Sequence, residues 1–166
     1  VYYILNKPTG YVTSRDDPHT KKLITDLVPK IPPVWPVGRL DKETSGLLIL
    51  TNDGDLTQKL THPKYVKEKE YLIKTNQPLS DDDITKIMNG VTLEDGLIKP
   101  DKFSRVATKT YNIVIHEGRN RLIRRLIAHF DLEVISLERI RISNIKLGKL
   151  PLGEYRVLDA NKIKKY

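Results

Sequence analysis

The chain has 166 residues, no cysteine, and 29 Lys plus Arg against 21 Asp plus Glu, for a formal charge of +8. Without cysteine there is no disulfide scaffold, zinc–thiolate site or thiol catalysis, and a reducing, cytoplasmic setting is expected. A 39% hydrophobic content excludes a disordered tail, no apolar run approaches the ~18 residues of a membrane span, and no signal peptide opens the chain. The basic balance predicts a polyanionic partner, most simply a nucleic acid, and no membrane partner. The sequence starts at Val1 with a strand-like segment at once, as expected of a piece of a longer protein.

Residues 1–5, Val-Tyr-Tyr-Ile-Leu, are β-branched or aromatic and predict a strand. Asn6-Lys7-Pro8-Thr9-Gly10 breaks it, residues 11–13 resume extended structure, and residues 14–20 form a loop. A short helix follows over 23–28 and ends at Pro29. Pro32, Pro33 and Pro36 make the next approach stiff and extended, with Trp35 read as a packing residue.

That approach leads into Gly38-Arg39-Leu40-Asp41-Lys42-Glu43-Thr44-Ser45-Gly46, a polar knot with charges of both signs. The unbroken apolar run 47–50 behind it fits a strand buried on both faces. Thr51-Asn52-Asp53-Gly54 is turn chemistry. A charged knot tied to a buried strand can hold one carboxylate rigidly, and polar loops on packed scaffolds are where function concentrates.

Residues 55–60 read as a short helix that Pro63 closes, and charges over 64–70 lead into a strand in which Tyr71 and Ile73 share a face. Ser80 caps a helix whose first turn carries Asp81, Asp82 and Asp83, matching the positive end of the helix dipole. The turn at Glu94-Asp95-Gly96 follows, then a pair of strands over 103–106 and 111–115.

The next helix begins near Arg121 and carries its charges unconventionally. Arg121, Arg124 and Arg125 fall in one arc, opposite Leu122, Ile123, Leu126, Ile127 and Phe130. With Arg119, four arginines crowd an end that already bears partial positive charge, at about 0.3–1 kcal/mol each. An anion there, a nucleic-acid phosphate or a carboxylate, resolves the conflict; pairing with surface acids is the alternative. Residues 133–145 predict two strand segments, 154–158 a last strand, and Lys162, Lys164 and Lys165 a basic tail.

His19, His62, His116 and His129 lack metal-ligand spacing, and there is no nucleophile elbow, P-loop or dinucleotide fingerprint. A positioned aspartate, an arginine-rich segment and a nearby tyrosine suit chemistry on a flipped nucleotide.

Lys7-Pro8-Thr9-Gly10, Gly38-Arg39-Leu40-Asp41 with Thr44 and Gly46-Leu47-Leu48, Lys69-Glu70-Tyr71, and Glu117-Gly118-Arg119-Asn120-Arg121 with Arg124-Arg125 closely resemble the RNA pseudouridine synthases. The likeness is to the RsuA-like branch that acts on ribosomal RNA, and Arg139-Ile140-Arg141 through Gly153-Glu154-Tyr155-Arg156 extends it to the chain's end. The resemblance implies an α+β pseudouridine synthase fold. Its mixed, mainly antiparallel sheet would cross two half-domains (1–63 and 64–166), with flanking helices and a central basic cleft. It covers the catalytic domain, not the small N-terminal RNA-binding module many such enzymes carry.

The resemblance further implies Asp41 as catalytic aspartate, Tyr71 as the ring stacked on the target base, and Arg124 as the partner of Asp41. Arg39 would help displace the base, and Lys7, Arg119, Arg121 and Arg125 would bind RNA. It implies no metal, no organic cofactor, a ribosomal RNA or pre-ribosomal particle as partner, and a monomer. Leu122 stands where the family often has Gln. Two other readings use the same residues. A non-catalytic RNA-binding module would leave Asp41 open to water beyond hydrogen-bond reach of any arginine. A glycosidase or nuclease would need Glu43 or a metal beside Asp41.

Overall fold

The computed structural model describes residues 1–15, 17–19, 21–62, 64 and 67–163. Thr20 of the expected first loop, Pro63, and Lys164 and Lys165 of the basic tail lie outside them. Strands β1 (Tyr2–Lys7), β2 (Trp35–Val37), β3 (Ser45–Thr51), β4 (Lys69–Thr75), β5 (Val91–Leu93), β6 (Gly96–Ile98), β7 (Lys102–Ala107), β8 (Thr110–Ile115), β9 (Val134–Ile142), β10 (Ile145–Lys146) and β11 (Tyr155–Val157) alternate with helices α1 (Gly54–Thr61), α2 (Asp81–Asn89), α3 (Leu122–Ala128) and α4 (Ala160–Ile163). The short helix expected over 23–28 is a single 3-10 turn, Ile24–Leu27.

Among the described residues nine strands form one sheet in the order β11-β1-β3-β9-β4-β8-β7, with β2 added to β3 and β10 to β9; β5 and β6 form a separate hairpin. Every pairing in the large sheet is antiparallel except β3 with β9. The expected α+β architecture with a mainly antiparallel sheet is therefore present. The apolar run 47–50 is buried on both faces: Leu47 and Ile49 pack with Leu56, Leu60 and Ile142, and Leu48 and Leu50 with Leu5, Ile24 and Leu40. A third core joins Tyr71, Ile73 and Tyr111 to the apolar side of α3 and to Ile87 of α2.

Two features of this topology place the site. Along one edge of β3, β2 covers the far end (Trp35↔Thr51 to Val37↔Ile49) and β9 takes over at Ser45↔Glu138 and Gly46↔Arg139. The loop 38–44 emerges where one neighbour gives way to the other. On its other edge β9 pairs with β4, setting Tyr71 opposite Arg139. Trp35, read as a packing residue, is instead 47% exposed, with the Arg15 guanidinium 4.4 Å from its ring centre.

Candidate active site

The backbone of the loop 38–44 is held from below by the N-terminal segment. Lys7 ends β1 with its side chain fully buried. Its ammonium lies 2.7 Å from the Thr44 carbonyl, 3.1 Å from that of Asp41, 3.3 Å from that of Lys42 and 3.0 Å from that of Pro8. Gly10 donates its N–H to the Lys42 carbonyl at 2.8 Å. The Thr13 hydroxyl donates to the Leu40 carbonyl at 2.7 Å and accepts from the Leu40 N–H at 3.2 Å. Burial lowers the Lys7 pKa to about 8, although the Asp41 and Glu43 charges pull the other way. Expected among the RNA-binding side chains, Lys7 is instead interior. The loop's own carbonyls turn inward and need a donor that water cannot supply there.

Asp41 is thus carried on a fixed backbone with its side chain 37% exposed. Among the described residues the cation within ion-pair distance of it is Arg121, whose Nη1 stands 3.6 Å from Asp41 Oδ2 and 3.4 Å from Glu43 Oε2. At that distance the contact is an ion pair beyond hydrogen-bond reach, as the non-catalytic reading expected, but Asp41 is partly covered rather than open to bulk water. Arg121 precedes α3 in the left-handed region (φ 50°, ψ 33°), a conformation that costs an L-residue roughly 1–2 kcal/mol. From that position its guanidinium reaches the two acids.

Arg124, expected to close on Asp41, donates from Nη2 to Thr44 Oγ1 at 3.2 Å, and its Nε is buried without a partner. Burial, then the neighbouring Arg121 charge, lowers its pKa, while Glu43 and Asp41 act to raise it. It meets the loop at Thr44, three positions after the carboxylate it was expected to clamp.

The remaining arginines near α3 divide differently from the expected shared phosphate role. Arg125 makes a two-pronged contact to Asp95 at 2.8 and 2.9 Å. Arg119 bonds Glu117, Asp95 at 3.2 Å and the Leu97 carbonyl at 2.8 Å. The Arg125 guanidinium, with a smaller contribution from the Arg119 charge, holds the Asp95 carboxyl below its usual range. Both arginines meet Asp95 because the β5–β6 turn brings it against the start of α3. That turn was visible in the sequence, but its destination was not.

A cavity of about 840 Å³ opens between the two parts of the sheet, and Arg39, Asp41, Tyr71, Arg121 and Arg124 all line it. Tyr71 is only 9% exposed, and Arg39 is exposed. Two further cavity residues, Lys69 and Arg139, had no role assigned from sequence. Both sat inside stretches that carry the resemblance, Lys69 in Lys69-Glu70-Tyr71 and Arg139 in Arg139-Ile140-Arg141. Among the described residues no three His, Asp or Glu side chains converge as a metal site, and no helix is long and apolar enough to cross a membrane.

Residues 1–129 match the family model described as RNA pseudouridylate synthase. The chain belongs to the RNA pseudouridine synthase family. An RNA pseudouridine synthase of Aquifex aeolicus is 42% identical over 168 residues, covering 98% of this chain and 68% of that protein. The ribosomal large subunit pseudouridine synthase B of Bacillus subtilis is 37% identical, covering 99% of this chain and 70% of that one. A crystal structure of a pseudouridylate synthase superposes with a TM-score of 0.90 at 33% identity, over 99% of this chain and 72% of the other. The expected RsuA-like pseudouridine synthase fold is therefore borne out along nearly the whole chain. In this pseudouridine synthase the polar knot of the sequence is the loop at the mouth of the cavity.

Proposed function

We propose that this synthase converts a specific uridine of ribosomal RNA to pseudouridine, with Asp41 as the reacting carboxylate and Tyr71 as the platform for the extruded base. The observation that carries this reading is one carboxylate on a backbone locked by Lys7 and Thr13, facing the same cavity as Tyr71 and flanked by Arg121. Support for ribosomal RNA comes from the Bacillus subtilis relative, named for the large ribosomal subunit.

The geometry suits that chemistry. A short carboxylate on a fixed backbone beside a guanidinium is held aimed into the cavity. A cavity with a buried ring accepts a pyrimidine that has left its stack and keeps bulk water from it while the C1′–N1 bond is open. Asp41 either bonds to C1′ or takes a ribose proton that it later returns, and the base turns and rejoins through C5. Arg124 braces the loop through Thr44, Arg39 stands at the rim where a base is displaced, and Arg121 meets the sugar–phosphate backbone next to Asp41. The reading uses no metal or organic cofactor, a single chain, and a cytoplasmic ribosomal RNA or pre-ribosomal particle. It treats 1–63 and 64–166 as the two halves that meet around the cleft.

The test is Asp41→Asn, with pseudouridine mapped in ribosomal RNA from cells lacking the gene and supplied with either form. Product is expected to vanish while RNA affinity stays within about threefold, since one exposed carboxylate contributes little to phosphate binding. Retained product in the variant removes the mechanism.

A further inference from the structure

Lys69 and Arg139 remain unused by this reading, and they form an unusual pair. Arg139 stands opposite Tyr71 across the β4–β9 pairing, and Lys69 lies two residues before Tyr71; all three line the cavity. Arg139 is 3% exposed; its Nε donates to the Leu47 carbonyl at 2.9 Å, but its Nη2 is buried with no partner. Arg119, Arg121, Arg125 and Arg141 each reach a carboxylate. Among the described residues neither Lys69 nor Arg139 does, and no hydrogen bond ties down the Lys69 amine. Burial first, and then the Arg139 charge, lowers the Lys69 pKa, as expected of two cations confined together without an anion.

Depth decides what they meet. The sugar of an extruded nucleotide must stop at Asp41, whose side chain is 37% exposed, and its phosphates stay outside that point. Arg139, at that depth and next to the ring that receives the base, faces the base itself, and the half-buried Lys69, two positions before that ring, stands beside it.

Resting on the pseudouridine synthase reading above, we propose that Lys69 and Arg139 are catalytic residues that hold the carbonyl edge of the extruded uracil and stabilise it as an anion while it is detached from the ribose. When C1′–N1 breaks, its electron pair leaves with the base and the negative charge spreads over O2 and O4. The deficit at C1′ is met by Asp41, through a bond or through the C2′ proton that it later returns. C5 then bonds to C1′, the C5 proton departs, and N1 gains one, so composition is unchanged. Fixed donors in a water-poor site act most strongly where charge develops, and losing one typically costs about 10²–10³ in rate. The uncharged carbonyls of the ground state gain far less, so the contribution falls on turnover rather than on binding.

The experiment compares wild type, Lys69→Gln, Lys69→Arg and Asp41→Asn in single-turnover tritium release from a ribosomal RNA transcript carrying uridine tritiated at C5. RNA affinity across salt and the melting temperature are measured alongside. Lys69→Gln is expected to slow the rate at saturating RNA about 10²-fold, with affinity within about twofold, melting unchanged and partial rescue in Lys69→Arg. Weaker RNA binding with a salt slope reduced by about one and a normal saturating rate means a phosphate contact and overturns the proposal. A normal rate overturns it too, as does a slow, early-melting protein that Lys69→Arg does not rescue. An inactive Asp41→Asn beside a fully active Lys69→Gln sinks only this inference; an active Asp41→Asn sinks the function beneath it. Arg139→Lys, which keeps the charge but shortens the reach, is a second variant expected to lose rate without losing RNA affinity.

Discussion

Gly46→Ala is the smallest change that should separate the two parts of the sheet. Gly46 has φ +110°, and a Cβ built there would lie 2.6 Å from the Arg139 backbone nitrogen, 2.9 Å from its carbonyl carbon and closer still to its carbonyl oxygen. These are backbone atoms of β9, so no side-chain rotation relieves the clash; the strands must part by most of an ångström. The parallel pairing of β3 with β9 consists of Ser45↔Glu138 and Gly46↔Arg139, supplemented by the Arg139 Nε bond to the Leu47 carbonyl. Backbone strain of about 1–3 kcal/mol and overpacking of about 1–3 kcal/mol combine to a loss of roughly 2–6 kcal/mol. That is a large fraction of the ~5–15 kcal/mol that keeps a domain folded. The same displacement carries Asp41, before β3, away from Tyr71, on the far side of β9. A misplacement of ~1 Å can cost about 10²-fold in rate. Urea unfolding should show a lower midpoint at an unchanged slope, and turnover per folded molecule should fall in parallel. A stability loss under about 1 kcal/mol, or a folded variant with wild-type turnover, would refute the claim that this contact sets the distance between the halves of the site.

Lys7→Met keeps the length of the side chain but strands the Asp41, Lys42 and Thr44 carbonyls that its ammonium serves. Each buried group left without a partner costs about 1–3 kcal/mol, and turnover should drop because the Asp41 loop loosens. Because the folded Lys7 pKa of about 8 lies below its ordinary 10.5, the unfolded chain binds the extra proton between those values. Burying the charged lysine therefore penalises folding fully below about 8, and the penalty is relieved as pH rises to 10.5. Chemical denaturation at two pH values in that window should show wild type gaining on Lys7→Met, by at most about 1.4 kcal/mol per pH unit; an unchanged gap contradicts the assigned ionisation. Arg121→Ala removes the guanidinium 3.6 Å from Asp41, whereas Arg125→Ala frees one held by Asp95. Single-turnover rates should fall at least about tenfold further for Arg121→Ala; equal losses would mean that Arg121 acts only as one more surface cation.

Much of the local structure is legible in the chain because its causes lie within a few residues. The run 47–50 has no polar member to expose, so it is buried on both faces. Ser80 accepts the Asp83 N–H at 3.0 Å as the cap pattern demands, and the knot ending at Gly46 does become the loop that carries Asp41. The pairing of charges is a different matter. β9 enters the sheet between β3 and β4 although it follows them in sequence by some 60 residues or more. That insertion alone puts Arg139 in the cavity beside Tyr71, where a strand arginine would ordinarily reach solvent. Likewise, no local pattern distinguishes Lys7, sealed under the loop, from an exposed lysine, or tells which of four arginines meets Asp41 and which are held by Asp95. Local propensity acts over one turn or one strand, whereas the partner of a charge is whatever distant segment the completed sheet brings within a few ångströms.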